Sequence, residues 1–309
     1  MKENIKWQCV LCGNTTKEIL YKEKRLPNKI ISPKEVLCTG EIGARGKHGK
    51  IWICNKCKLI FQELSFSNQE LEEAYSKGTD AKYFEQLKQR EHLFSQSRQR
   101  IEKYIKPPGK LMDVGANAGI FLNVAQESGW TVEGIDPSKW AKGEAKRRFG
   151  VKVENLTFEE LIAKPASFDV ITMWDVLEHY LDPLAQLKKA NKLLKKGGVL
   201  ALTTININSW FSKLLGPHWP WIIRVHIWYF KRNNLIKMIK KAGFEIKWVG
   251  YQTRWFSLSY LLTRLSGKNF SWLPKISLPA PTNDIIFVIA RKRKLMPYPS
   301  SLKNHGPKA

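Results

Sequence analysis

Long apolar runs are missing from this chain of 309 residues. No stretch reaches the roughly 18 uncharged apolar residues that a spanning helix needs. The richest candidate, 219–230, is short and is broken by Arg224 and His226. The N-terminal MKENIKWQCVLCG also lacks the apolar core of a signal peptide. Both lacks predict a cytoplasmic protein, with membrane contact at most peripheral and at the inner face. Acidic residues are in short supply as well, 27 against 52 Lys and Arg, for a net charge of +25. The shortage is local. Residues 108–205 hold 13 basic and 12 acidic side chains, whereas 206–309 hold 18 and 2. Such asymmetry calls for an acidic partner: a phosphorylated substrate, an anionic membrane surface or nucleic acid. Against nucleic acid, the chain has no Asn-Pro-Pro-Tyr base clamp and no recognisable RNA-binding module.

Cysteine is scarce but patterned. Of five, four form two C-x-x-C pairs, Cys9/Cys12 and Cys54/Cys57. A reducing compartment disfavours a disulfide framework. Two such pairs can supply four thiolates to one tetrahedral Zn2+, a structural site with no open position for water. Gly13 suits the tight turn after the first pair, while Lys58 stands where a second Gly is expected. Four buried thiols without metal are the alternative, and Cys38 is needed in neither case.

From Lys110 the pattern alternates between strands and helices. Strands are predicted at 110–114, 131–135, 151–153, 168–174 and 199–204. Helices are predicted at 119–128, at 138–149 with Ser138 as N-cap, and from Asp182-Pro183 to Gly197-Gly198. A helix at 233–241 and strands at 244–250 and 285–290 follow. The expected fold class is α/β: a Rossmann-like, mainly parallel sheet with an antiparallel edge hairpin, preceded by a small N-terminal zinc ribbon. A ligand belongs at the carboxyl ends of the strands. There Gly115 and Gly119 permit close backbone approach, and Asp136 can accept ribose hydroxyls. A Gly-rich turn with a distal Asp also describes NAD enzymes. However, the loop G-A-N-A-G lacks the central Gly of G-x-G-x-x-G, and Asp113 directly precedes it, within reach of an ammonium group.

Asp-Val-Gly-Ala-Asn-Ala-Gly, then Gly-Ile-Asp136, then Phe-Asp-Val-Ile-Thr-Met-Trp-Asp-Val-Leu-Glu-His resembles the class I S-adenosylmethionine methyltransferases. The likeness is to the bacterial branch that carries an N-terminal double zinc knuckle, including ubiquinone-pathway enzymes. It extends through His-Ile-Trp-Tyr-Phe230, Ala242-Gly-Phe and the closing Asp284-Ile-Ile-Phe-Val-Ile-Ala-Arg-Lys. The resemblance implies S-adenosyl-L-methionine as methyl donor. It implies that Asp113, Val114, Gly115, Ala116, Asn117 and Gly119 line its methionine and ribose. Asp136 and Pro137 would hold the ribose, Asn155, Leu156 and Thr157 would border the adenine, and Trp174 and Asp175 would lie beneath. Asn117 replaces the usual central Gly, which Asn's tolerance of left-handed backbone allows.

His179 is the candidate general base, because imidazole titrates near neutrality. Similar acidic-x-x-Glu-His runs hold a divalent ion in ubiquinone-pathway and RNA-end O-methyltransferases, which implies Mg2+ at Asp175, Glu178 and His179. The domain plan is a zinc-ribbon-like segment at 1–66, a helical cap at 67–107 and a methyltransferase domain at 108–292. That domain carries insertions at 206–230 and 251–283, and a basic tail follows at 293–309. Tyr75 and Tyr83 of the cap could close over the cofactor. The first insertion, with Trp210, Trp219, Trp221 and Trp228, is the expected acceptor pocket. In the second, Trp255, Phe256, Leu258, Leu262 and Leu265 recur at near-helical spacing. Basic residues with tryptophan there suggest peripheral membrane contact.

The expected acceptor is a small molecule, such as a lipid- or nucleotide-linked sugar, in cell-envelope polysaccharide or secondary metabolism. Two alternatives are an RNA or nucleic-acid methyltransferase and a catalytically silent zinc-containing scaffold.

Overall fold

The computed structural model describes residues 7–24, 48–63, 68–77, 81–257, 270, 272 and 277–293. In chain order its elements are β1 (Lys17–Tyr21), β2 (Ile51–Cys54), β3 (Ile60–Gln62), α1 (Asn68–Lys77), α2 (Leu87–Ile101), β4 (Lys110–Val114), α3 (Ile120–Gln126), β5 (Thr131–Ile135), α4 (Lys139–Phe149) and β6 (Val153–Glu154). They continue as β7 (Phe168–Trp174), α5 (Pro183–Leu193), β8 (Leu194–Ile205), α6 (Trp210–Leu215), β9 (Trp228–Tyr229), α7 (Arg232–Lys241), β10 (Phe244–Tyr251), β11 (Arg254–Ser257), β12 (Ser277–Ala280) and β13 (Ile285–Lys292).

The main sheet has seven strands in the order β10-β13-β8-β7-β4-β5-β6. Among the described residues β13 is its only strand running against its neighbours, β8 and β10. The sheet strands, counted in chain order, therefore run 3-2-1-4-5-7-6. Chain direction reverses outward from β4, and the loops after β4 and β7 meet at that switch point. The central strands are buried on both faces, as parallel sheets require.

Local chemistry sets the helix ends. Ser138 Oγ accepts the Ala141 amide, and α4 stops at left-handed Gly150. Asp182 accepts the Ala185 amide, with Pro183 in the first turn of α5. Three boundaries depart from sequence expectation. Helix α5 ends at Leu193, so Gly197 and Gly198 lie inside β8 rather than closing the helix. The single helix expected over 81–105 divides into a 3₁₀ turn, Ala81–Gln86, and α2. Residues 254–257, expected to open a helix, instead pair antiparallel with β12. Leu258, Leu262 and Leu265, Cys38, the tail beyond 293 and the Tyr75 side chain lie outside the described residues. Tyr83 is buried edge-on against Phe84 and Trp140.

A second sheet runs β1-β2-β3-β9. Strand β9 comes from the 206–230 insertion, where Phe61 pairs with Trp228 in the ladder. Trp7 stacks on Phe61 at 4.9 Å, and Phe61 meets Trp228 at 5.7 Å. The ribbon is thus completed by the insertion. Trp219, Trp221 and Trp228 are buried in this junction, so none of the three is available to a membrane. Trp210 and Leu214 on α6 and Trp272 remain exposed, at 54%, 71% and 76%. Among the described residues no helix is long and apolar enough to cross a membrane.

Candidate active site and cysteine cluster

The turn after β4 sits directly on the end of β5. Gly115 and Ala116 both donate backbone N–H groups to the Ile135 carbonyl, at 2.9 and 3.0 Å. The Asn117 amide reaches Asp136 Oδ2 at 2.8 Å, and Ser138 N donates to Oδ1 at 2.9 Å. Gly115 has φ +71°, and a Cβ there would lie 2.5 Å from Val176 Cγ2. Only glycine fits this approach of two loops. Asn117 takes φ +46°, the left-handed region that Asn tolerates.

Asp113 is fully buried and accepts a hydrogen bond from Thr172 Oγ1 at 2.6 Å, while its Oδ2 has no partner. Burial pushes this carboxyl up to about 8; the Thr172 bond offsets part of the rise and the charge of Asp136 adds to it. Asp136 is raised to about 6, again by burial, against the two backbone amides. Two carboxyls desolvated beside a Gly-rich turn form an electronegative niche fitted to a cation and to hydroxyl donors. Each oxygen of Asp136 keeps a lone pair for a further donor.

The other predicted residues are placed as follows. Val114 and Ala116 are buried beside the turn, and Gly119, at φ +78°, precedes α3. Asn155 Nδ2 donates to the carbonyls of Asp136 and Pro137, joining the loops after β5 and β6. Leu156 packs on the core, and Thr157 is bonded through its amide and hydroxyl to Glu160. The Trp174 ring packs among Phe94, Phe121 and Phe287. Val176 stands against Gly115. Asp175, at φ +55°, bonds Thr203 through both its amide and its Oδ1.

His179 lies in a 3₁₀ turn after β7, and its Nδ1 is 3.0 Å from the Val225 carbonyl. A carbonyl only accepts, so Nδ1 donates the proton of that bond. Burial lowers the ring's pKa to about 4, against the Val225 bond and Asp175. The ring is neutral at physiological pH and a weak base. His226 shows the same arrangement, with Nδ1 at 2.8 Å from the Trp221 carbonyl. Ligand atoms of Glu178, His179 and His226 all lie within 4.8 Å of one another. Asp175, expected from sequence to join Glu178 and His179, is not in that group; His226 is.

The four cysteines converge. Cys9 and Cys57 sulfurs are 3.5 Å apart, Cys12 and Cys54 3.6 Å, and all four lie within 4.8 Å. Zn–S bonds of ~2.3 Å at tetrahedral angles require S···S distances of ~3.8 Å, so this set fits a zinc ion. Burial raises the Cys9 and Cys57 thiols. Cys54 falls to about 6, because the Cys57 and Lys56 amides and neighbouring thiols outweigh its burial.

Sequence reading missed Thr172, Val176 and the role of His226. The signal for Thr172 was a lone hydroxyl in the apolar run Phe168–Trp174. Its pairing with Asp113 is a register neighbour, visible only once β4 and β7 are known to adjoin.

A seven-stranded sheet of this order, with a glycine turn and an acidic residue on the next strand, defines a Rossmann-like class I methyltransferase fold. Residues 86–247 match the family model described as a methyltransferase domain, over half the chain, and the chain belongs to that family. A ubiquinone biosynthesis O-methyltransferase of Cereibacter sphaeroides is 30% identical over 148 residues, 44% of this chain and 60% of that protein. A second, from Thiobacillus denitrificans, is 25% identical over 198 residues, 60% of this chain and 78% of the relative. The chain thus spans 60% of the length of the first of these relatives. Among solved structures, a chain from the complex of the Haloferax volcanii Trm112 methyltransferase activator with a methyltransferase is similar at TM-score 0.51 and 12% identity. That match covers 70% of this chain and 98% of the other.

Proposed function

We propose that the chain is an S-adenosylmethionine-dependent methyltransferase acting on a small-molecule acceptor such as a lipid- or nucleotide-linked sugar. The observation that carries the donor is the buried Asp113 carboxylate, whose open oxygen lies in the niche shared with Asp136. An ammonium group is the partner that this oxygen lacks, and a methionine moiety carries one. When bound, the donor supplies a methyl already activated by a sulfonium. The chain's own work is to orient the reactants and exclude water. On this reading Asp113 holds the ammonium, Gly115 to Gly119 lie along the chain between methionine and ribose, and Asp136 accepts the ribose hydroxyls. Asn155 to Thr157 border the adenine. His179, neutral at physiological pH, takes a proton when the acceptor is a hydroxyl. Calorimetry with S-adenosylhomocysteine tests the donor site: micromolar binding supports the enzyme, and no detectable heat supports the silent scaffold. Labelled donor incubated with lipid, sugar-nucleotide and RNA fractions identifies the acceptor class.

We read Cys9, Cys12, Cys54 and Cys57 as a structural zinc site whose ribbon comprises 1–66 plus the β9 strand. On this reading a helical cap spans 67–107, the catalytic domain spans 108–292 and a basic tail spans 293–309. A second reading of the site is favoured by the Glu178, His179 and His226 cluster. Histidines that give their other N–H to backbone carbonyls are oriented as metal ligands are. A divalent ion held there would make His179 a ligand rather than a base. Peripheral membrane contact now rests on Trp210, Leu214 and Trp272. Envelope polysaccharide or secondary metabolism is the setting we favour, in the cytoplasm, with RNA the weaker alternative.

A further inference from the structure

A cavity of about 380 Å³ opens between the second cysteine knuckle and the start of α7, lined by Lys58, Lys231, Arg232 and Lys237 together with Asn208 and Tyr251. No carboxylate is among its lining residues. Among the described residues, Lys231, Arg232 and Lys237 have no carboxylate within ion-pair distance. Lys58 has only Glu18, at 3.6 Å between two exposed side chains, a contact of small worth. Four cations facing one concavity repel each other in the free protein, a cost that an anion removes.

Lys58 adds an independent sign. It follows Cys57 at φ +58°, a left-handed position where glycine is unstrained and lysine is not. It nonetheless stands on the cavity wall. The walls are fixed, since Asn234 Nδ2 donates to the Cys57 carbonyl at 2.7 Å and ties the knuckle to α7. Placement is equally specific. Tyr251 pairs with Ile286, which pairs with Thr204, and Thr203 pairs with Trp174. The cavity therefore lies along the same sheet edge as the loops after β4 and β7, displaced toward β10.

We propose that this cavity binds a phosphate or diphosphate group, the anionic end of the methyl acceptor, and that the zinc knuckle serves to build its wall. A concave volume of this size matches a small-molecule subsite. Nucleic acid would instead track an open basic groove. The role in catalysis rests on the methyltransferase reading; the binding itself does not.

The test is titration calorimetry of the zinc-loaded chain with inorganic pyrophosphate, alongside S-adenosylhomocysteine. Lys231→Gln/Lys237→Gln is expected to weaken pyrophosphate about tenfold or more while leaving S-adenosylhomocysteine binding unchanged. Lys58→Gly is expected to weaken pyrophosphate and yet raise the melting temperature, because strain is released. Lys188→Gln, an exposed charge on α5, controls for net charge. Equal pyrophosphate affinity in the double variant, or an equal loss in Lys188→Gln, overturns the proposal. So does random oligonucleotide binding that displaces pyrophosphate and is unaffected by the double variant. Binding of S-adenosylhomocysteine without pyrophosphate sinks this inference alone, whereas pyrophosphate binding alone sinks the donor reading. Uridine diphosphate and vesicles containing a polyprenyl diphosphate, compared at one salt concentration, separate a soluble from a lipid source of the group.

Discussion

Thr172 donates a 2.6 Å hydrogen bond to one oxygen of Asp113, and the other oxygen is buried with nothing to bond. An unsatisfied carboxylate oxygen costs the free protein stability. The group's raised pKa, about 8 against an ordinary 3.8, expresses that cost. For an acid whose folded pKa is raised, the folded state holds the proton more tightly. Stability is therefore full below about 4 and declines as pH rises toward about 8.

Donor binding should reverse that proton preference. An ammonium placed at the open oxygen favours the ionised form, so binding at pH 7 expels a proton. Affinity for S-adenosylhomocysteine should rise from pH 6 to about 8 and then level off. Calorimetry in buffers of differing ionisation enthalpy reads the proton directly. A flat profile with no proton release would remove the ammonium from Asp113.

Asp113→Asn should separate stability from binding. The amide needs no desolvated charge, so the free protein should melt at an equal or higher temperature. Donor affinity should fall by about 1.5–3 kcal/mol, the worth of a charged hydrogen bond. Loss of both together would mark Asp113 as structural only.

Gly115→Ala and Gly150→Ala form a matched pair. Both glycines have positive φ, +71° and +66°, but an added Cβ meets Val176 at 2.5 Å in the first and open space in the second. Gly150→Ala should cost about 1 kcal/mol, for strain alone. Gly115→Ala should cost more, about 2–4 kcal/mol, and abolish donor binding as the loop shifts. Denaturant unfolding of both variants checks the difference, and equal costs would contradict the loop contact.

Removing metal from the cysteine cluster should be visible in tryptophan fluorescence, because Trp7 and Trp228 flank Phe61 beside the knuckles. One zinc per chain is expected by elemental analysis. A strong chelator should release it, shift the emission and lower the melting temperature. Cys54→Ser should behave as the chelated protein does. A chain that purifies without zinc and melts identically with and without chelator would leave four plain thiols.

Much of this architecture was legible because local signals and global fold agree. Ser138 and Asp182 announce helix starts, and the run from Asp113 to Gly119 announces a strand, a turn and a helix. What stayed hidden depends on long-range pairing. Nothing in Trp228-Tyr229 says that it completes a sheet begun at Lys17, so the insertion's tryptophans suggested an acceptor pocket, and the burial of three of them at the ribbon junction was not foreseen. Trp255 and Phe256 satisfied a helical period by chance; β-branching is absent there, and the antiparallel partner at Ser277–Ala280 lies twenty residues away. His226 could not be joined to Glu178 from spacing alone, since the two are 48 positions apart.

That last pairing can be tested without knowing the acceptor. Should Glu178, His179 and His226 hold a divalent ion, Mn2+ will bind and broaden in electron paramagnetic resonance. His226→Ala will then weaken it about tenfold or more, since each imidazole ligand contributes at least as much as an outer partner. Zinc in the cysteine cluster provides the internal control, because its content must stay constant across the titration. His179 then has no lone pair left for proton transfer, and methylation by the metal-loaded enzyme must stop in EDTA and resume with Mg2+. Full methylation in EDTA, with a Mn2+ signal that stays sharp, would leave His179 as the base. Its lowered pKa then sets the pH limb: the neutral form persists down to about 4, and activity should fall only below that pH.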